Sequence, residues 1–427
     1  MRVIPQTNYS RIDAELLIPG RGQPIKDATL IFCDKRIIAV GATNDLASKH
    51  ADLTPIRVPI LMPGLWDCHV HFNGTTMYSP DIMASTHMAV SGARCARDVV
   101  ATFNAGFTSV RELSGYGVQL AKVIEEGWLP GPNIYSAVSI LSTTAGHGDA
   151  RTVPLKAFQN QIAHGLPCHL CDGVDECVKA VRVQIRNGAK VIKIAASGGV
   201  SSDGDDILTQ QFSDEEMAAI VAEAGRNRLA VAAHCHANAS ILAAIKAGCR
   251  TIEHATLLED DAVKLMVEKD VLLIATRSSL EFLIKHPELW SPEQYEQIRE
   301  VKRHHEESYR KAVKAGVRIA IGTDILISSL DIPWNHGMNG IEFKYAVEAG
   351  LSPLQAIEAG TANAPETLGP KAPKSGVLKE GYDADIIALS KNPLDDIEVL
   401  SEPRNITHVW KGGRLFKADG NPINILD

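Results

Sequence analysis

The chain has 427 residues, 45% of them hydrophobic and 22% charged, and a formal net charge of −8. These are the proportions of an ordinary globular protein, long enough for one domain of roughly 250–300 residues plus something smaller. The acidic balance argues against a nucleic-acid or anionic-membrane partner, both of which call for basic patches, and no apolar run approaches the ~20 residues that span a bilayer.

Residues Met1 to Asn8 hold no apolar stretch of signal-peptide length, so the expectation is a cytoplasmic protein. Eight cysteines in a chain this long do not make a disulfide framework. Cys168-His169-Leu170-Cys171, with Cys177 nearby, has no second Cys-x-x-Cys or histidine pair at finger spacing, and reduced thiols in a long loop are the better reading.

The first sixty residues read as short strands. Ala28 to Cys33 and Arg36 to Gly41 flank the polar pair Asp34-Lys35, the pattern of a hairpin. Ala384 to Leu389 and Ile406 to Trp410 are strand-like too, and Lys411-Gly412-Gly413-Arg414 turns into Leu415-Phe416. Neither end makes a sturdy domain alone, so residues 1–60 and 372–427 are expected to join in one small β-sandwich.

Residues 61–371 repeat a helical stretch, a glycine and a short β-branched run. Gly106, Gly188, Gly248 and Gly316 each sit where a helix C′ residue takes a left-handed backbone. The runs that follow are apolar on both faces, as in a buried parallel sheet. Strands are expected near 61–69, 107–112, 132–140, 190–195, 229–234, 250–254, 271–275 and 317–323. Eight strands alternating with helices fit a (β/α)8 barrel or a doubly wound sheet, and no Gly-x-Gly-x-x-Gly follows the first strand to favour the latter. The segment from Leu141 to about Asp172 is longer than a usual connection and is expected to lie over the active face.

Barrel enzymes keep their chemistry at the C-terminal ends of the strands. The first strand ends in His69-Val70-His71, two imidazoles on one strand face. The fourth carries Lys193 in an apolar run, the fifth ends in His234 with His236 two residues on, the sixth in Glu253-His254, and the eighth in Thr323-Asp324. Singly, each has a structural explanation, a satisfied core histidine or a helix cap. Together, on one face of one barrel, they point to a metal site.

These residues, with Pro63-Gly64-Leu65-Trp66-Asp67-Cys68 before His69 and Gly376-Val377-Leu378-Lys379-Glu380-Gly381-Tyr382-Asp383-Ala384-Asp385 near the C-terminus, resemble the amidohydrolase superfamily. Gly146-His147-Gly148-Asp149, Ser197-Gly198-Gly199-Val200 and His234-Cys235-His236 are most similar to its branch of imidazolonepropionase-like enzymes, dipeptidases and ochratoxin-hydrolysing amidases. The resemblance implies an α/β fold with a (β/α)8 TIM barrel, and two Zn2+ per chain. His69, His71 and Asp324 would hold one ion and His234 and His254 the other. Lys193, carboxylated by CO2 to N6-carboxylysine, would bridge them. A free lysine repels Zn2+ whereas a carbamate is an anionic ligand, and an apolar strand favours the neutral amine that reacts with CO2.

The implied reaction is hydrolysis of a small-molecule amide by metal-activated water. Asp324 would move the proton to the leaving amine and His236 would help polarise the carbonyl. Resemblance favours an N-acyl amino acid or dipeptide cleaved in carboxypeptidase fashion, ochratoxin A being an aromatic example; a cyclic-amide hydrolase is the alternative. For the substrate, Ser197, Gly198, Gly199 and Val200 would offer backbone N–H donors to an anionic group, Arg277 would pair with a carboxylate, and His147 would reach in from the long loop. Relatives in the branch imply a homo-oligomer.

Overall fold

The computed structural model describes residues 8–423 apart from 47, 49, 78–79, 201–205, 291 and 333. The two ends of the chain meet in one eight-stranded sheet. Tyr9–Leu17, Ile25–Cys33, Arg36–Ala42 and Ile56–Pro63 come from the N-terminal side; Ile386–Leu389, Ile406–Lys411, Arg414–Ala418 and Asn421–Pro422 come from the C-terminal side. The expected hairpin forms, with Cys33 opposite Arg36. Ile56–Pro63 is the seam: it runs parallel to Tyr9–Leu17 on one side and antiparallel to Ile386–Leu389 on the other. A bridge from Arg36 to Asp383 curls the sheet back on itself, over a core that includes Ile12, Leu30, Phe32, Leu61 and Trp410.

One expectation needs correcting. The apolar run through Leu65 is not a single strand leading to the histidines, because it is divided at Gly64. Residues up to Pro63 belong to the terminal sheet, and the first barrel strand is Leu65–Thr75. Gly64 donates its N–H to the Asp385 carbonyl (2.9 Å) while Leu65 donates to Gly106 (2.9 Å), so the backbone changes partners within one residue. A Cβ on Gly64 would lie 2.0 Å from the Thr108 hydroxyl, which leaves room for glycine alone. Burial on both sides of this joint makes the run uniformly apolar and hides it.

The barrel follows in parallel order. Its strands are Leu65–Thr75, Phe107–Glu112, Asn133–Ser136 continued by Ile140–Ser142, Ile192–Ala195, Val231–Cys235, Thr251–His254, Leu272–Ile274 and the segment 318–324. The third strand kinks at Val138 (φ 70°); its first half pairs with the second strand and its second half with the fourth. The last segment closes the ring. Leu273 donates to Arg318 (2.9 Å) and Ala320 to Leu273 (3.0 Å), while on the other side Cys68 donates to Ile321 (2.8 Å) and Asp324 to His69 (2.7 Å). The fold is thus an α/β (β/α)8 TIM barrel with a smaller β domain made from both termini.

Gly106, Gly188, Gly248 and Gly316 all adopt the left-handed backbone expected of helix ends, with φ between 82° and 99°. The long segment after the third strand carries a helix, Leu155–Ala163, and a short strand, Cys168–Leu170, that extends the barrel sheet beside Ile140–Ser142. Among the described residues, its thiols are not part of any group of three metal donors. Cys168 Sγ donates to the Gly148 carbonyl (2.8 Å), Cys171 Sγ faces Cys177 Sγ at 3.7 Å, and His169 meets Gln184. All eight cysteines are free.

Candidate active site

Alternation along Leu65–Thr75 puts Asp67, His69 and His71 on one face. Asp67, fully buried, fixes the strand to its neighbour. It accepts from the Thr323 N–H (3.1 Å), the Thr323 hydroxyl (2.6 Å), the Asn339 amide (2.8 Å) and the His69 N–H (3.0 Å). Burial pushes its pKa up to about 6 against those four bonds. The clamp sets Asp324 beside the histidines: His69 Nε2 and His71 Nε2 lie 3.3 and 3.0 Å from Asp324 Oδ1. Asp324 (φ 61°) and His254 (φ 72°) both hold left-handed backbone, a conformation costing on the order of 1–3 kcal/mol and typical of functional positions.

The outer nitrogens of these rings are tied down. His71 Nδ1 meets the Ser114 carbonyl at 3.0 Å and His69 Nδ1 meets Glu253 Oε2 at 2.9 Å. Glu253 also takes the Arg111 guanidinium at 2.8 and 2.9 Å, and Arg111 donates onward to the Cys68 carbonyl (2.6 Å) and the Thr251 hydroxyl (2.9 Å). Both charges are fully buried. Burial alone would raise the Glu253 pKa, but Arg111 and His69 outweigh it and hold it at about 2. Burial, reinforced by Lys193, brings His69 down to about 4, so its ring is neutral at ordinary pH.

Across the barrel mouth stands a second group. One ring nitrogen from each of His234, His236 and His254 lies within 4.8 Å of the others, and the same holds for the donor atoms of His69, His71 and Asp324. His236 Nδ1 is 2.7 Å from the Thr256 hydroxyl, His254 Nδ1 is 2.7 Å from the Thr276 hydroxyl, and His234 Nε2 is 3.2 Å from the Gly198 carbonyl. Burial drives all three below the usual imidazole range, His236 to about 3.

Lys193 lies between the groups, 2% exposed, its Nζ 3.5 Å from His69 Nε2. Burial brings its pKa down to about 8, with Glu253 and Asp324 partly opposing. The donor set fits divalent metal ions. Four of the five rings have their Nδ1 beside a protein partner, which leaves Nε2 as the second ring nitrogen for a metal; for His69 and His71 that partner can only accept, so it also fixes the proton on Nδ1. The lowered pKa gives Lys193 a larger share of neutral amine than an exposed lysine has, and the neutral amine is the form that reacts with CO2.

A cavity opens over this cluster, walled by Met83, Ile140, Phe158, Pro167, Cys168 and Leu326. The long segment therefore supplies part of its wall. His147, from that segment, stacks on His234 (centroids 4.2 Å apart, 17° between planes). Three sequence expectations for substrate contacts fail here. Arg277 is 3% exposed and turned away from the cavity: it pairs with Glu281 and Glu306 and donates to the Lys302 carbonyl. The left-handed Thr276 (φ 51°) swings the chain off the strand end and starts a helix at Arg277. The Ser197 and Gly198 N–H groups are engaged as well, donating to the His234 and Thr209 carbonyls. Gly199 instead provides space, since a Cβ there would lie 2.1 Å from the His147 ring. Val200 lines a second, adjoining cavity behind His236.

Residues 60–416 match the sequence profile of the Amidohydrolase family. The chain belongs to that family. Ochratoxinase from Aspergillus niger is 45% identical over 438 aligned residues, which cover 98% of this chain and 89% of the relative. The crystal structure of A. niger ochratoxinase superposes with a TM-score of 0.91 at 44% identity, covering 98% of both chains. An Xaa-Pro dipeptidase with methionine bound in its active site superposes at 0.83 with 29% identity, covering 96% of this chain and all of that one. The protein is a hydrolase acting on amide bonds, and among its described residues no helix is long and apolar enough to cross a membrane.

In this amidohydrolase, the sequence reading passed over Arg111, which braces His69 through Glu253, and Ser114, which braces His71, and placed His236 outside the donor groups. Arg111-Glu112 at the end of the second strand is a pair of charges in a run buried throughout. That was the available signal for the brace.

Proposed function

We propose that this amidohydrolase holds two zinc ions and releases the C-terminal amino acid from N-acyl amino acids and dipeptides, ochratoxin A among them. The observation that carries this reading is the pair of donor groups facing each other across buried Lys193 at the barrel mouth. His69, His71 and Asp324 would hold one ion, His234 and His254 with His236 beside them the other, and Lys193 as its carbamate would join them. Bound there, such ions supply Lewis-acid polarisation of a carbonyl and acidify water. Asp324, kept ionised by His69 and His71 although burial opposes it, accepts the proton and returns it to the departing amine. The apolar wall of Met83, Ile140, Phe158 and Leu326 excludes water and suits an aromatic substituent. The names of the relatives, an ochratoxinase and an Xaa-Pro dipeptidase, support a scissile amide next to an amino-acid carboxylate.

The test is elemental analysis of the purified protein together with turnover of N-acyl-phenylalanines, dipeptides and cyclic amides. About two zinc ions per chain and cleavage of the linear amides, lost on chelation and restored by zinc, are expected. Zinc-loaded protein that opens only cyclic amides would reject the linear substrate class.

A further inference from the structure

Asn73 continues the face of the first barrel strand that carries His69 and His71, and it lines the open cavity with them. It stands two residues beyond His71, about 7 Å further along the strand by the rise of an extended chain. The residue is 7% exposed, and its amide oxygen is sealed within the wall without a partner. The amide nitrogen bonds to no described group either, which leaves it as the polar atom that Asn73 turns to the cavity. A buried amide with neither end engaged is rare in native proteins and calls for an explanation.

The other small polar side chains of this wall are already engaged. The Thr75 hydroxyl donates to the Met77 carbonyl (2.8 Å), the Ser114 hydroxyl to the Pro167 carbonyl (2.7 Å) and Cys168 Sγ to the Gly148 carbonyl (2.8 Å). His147 is stacked on His234, and Arg277 is turned away. What remains of the lining is apolar or belongs to the cluster of histidines, Lys193 and Asp324. An anionic group of a substrate therefore has the Asn73 amide as its side-chain donor beside that cluster.

We propose that Asn73 determines specificity for a free carboxylate, its amide nitrogen donating to the carboxylate of the departing amino acid. That carboxylate hangs from the carbon attached to the scissile nitrogen, one step along the substrate from the bond that breaks. The assignment rests on the amide hydrolysis proposed above. A neutral donor suffices there, because two dications would outweigh Asp324 and a Lys193 carbamate and draw an anion in from any direction. The amide fixes where the anion sits. A substrate without a carboxylate leaves the amide unpaired and gains nothing from it.

Phenylalanine and phenethylamine differ only in the carboxylate. Zinc-loaded protein is titrated with each by calorimetry, and KM and kcat are measured for their N-acetyl derivatives. Wild-type protein is expected to bind phenylalanine the more tightly. Asn73→Leu, which removes the donor at similar volume, should weaken phenylalanine about tenfold to a hundredfold and phenethylamine much less. KM for N-acetyl-phenylalanine should rise in proportion, with little change in kcat. Asn73→Asp, the same shape with a negative charge, should weaken phenylalanine at least as much. Equal effects on the two ligands, or an Asn73→Asp protein that binds phenylalanine like wild type, overturn the assignment. So does a wild-type protein with no preference for phenylalanine, whether or not the variants fold. Variants that lose phenylalanine in a protein that turns over no amide keep the Asn73 contact and reject the hydrolytic reading. Turnover of linear amides with phenylalanine binding untouched by either variant does the reverse.

Discussion

The two donor groups at the barrel mouth look symmetrical and are not. His69, His71 and Asp324 include a carboxylate, and their outer shell is an ion pair, Glu253 with Arg111, sealed from solvent. His234, His236 and His254 are three neutral rings, two of them braced by threonine hydroxyls and none by a charge. A dication placed in the first group meets compensating negative charge at once. In the second it meets none unless Lys193 has become an anion. In the proposed centre, one half would be complete as translated, and the other would depend on CO2 taken up from solution.

The largest effect should come from removing that dependence. Lys193→Ala is expected to keep about one metal ion per chain, retained by the Asp324 group, and to lose on the order of a thousandfold in kcat, several kcal/mol of transition-state stabilisation. Adding Asp324→Asn should remove the remaining ion. Metal analysis decides it, and a Lys193→Ala protein that still holds two ions would show the halves to be equivalent after all.

A smaller effect separates the braces. Glu253→Gln leaves the Arg111 guanidinium buried without a counter-charge, which costs roughly 3–5 kcal/mol in denaturant unfolding of the metal-free protein. Thr256→Val, on the other half, removes one neutral hydrogen bond and should cost about 1 kcal/mol. Equal losses would break the contrast between a charged and an uncharged shell.

A further contrast lies in pH. Folded His234, His236 and His254 titrate below the ordinary imidazole range, so below pH 6.5, and for His236 down to about 3, the unfolded chain binds protons that the folded chain does not. Stability of the metal-free protein therefore falls as pH is lowered through that window, by about 1.4 kcal/mol per unit for each histidine still neutral when folded. Thermal melts at successive pH values should show a shallower slope in His236→Gln. An unchanged slope in that variant would remove His236 from the buried group.

Much of this centre could be read from the chain because strand periodicity carries it. His69 and His71 share a face by spacing alone, His234 and Asp324 each follow an apolar run that reads as a buried strand, and His254 ends the short run that follows Gly248. What escaped needed contacts between distant segments. The Glu253–Arg111 pair joins the second and sixth strands across the barrel, and nothing local at either residue names its partner. Arg277 was misplaced for a local reason: strand-end position suggests a side chain in the mouth, but one left-handed residue before it turns the chain into a helix. The joint at Gly64 was hidden because both sheets it connects are dry.

That joint has a consequence in time. Ile56–Pro63 finds one neighbour near the start of the chain and the other at Ile386–Leu389, more than 300 residues later. The strand bearing His69 and His71 continues directly from it. On a ribosome, the segment leading into the His69 strand is therefore left with an open edge until nearly the whole polypeptide has emerged. His69 and His71 are made early, and the strand that leads into them is anchored late.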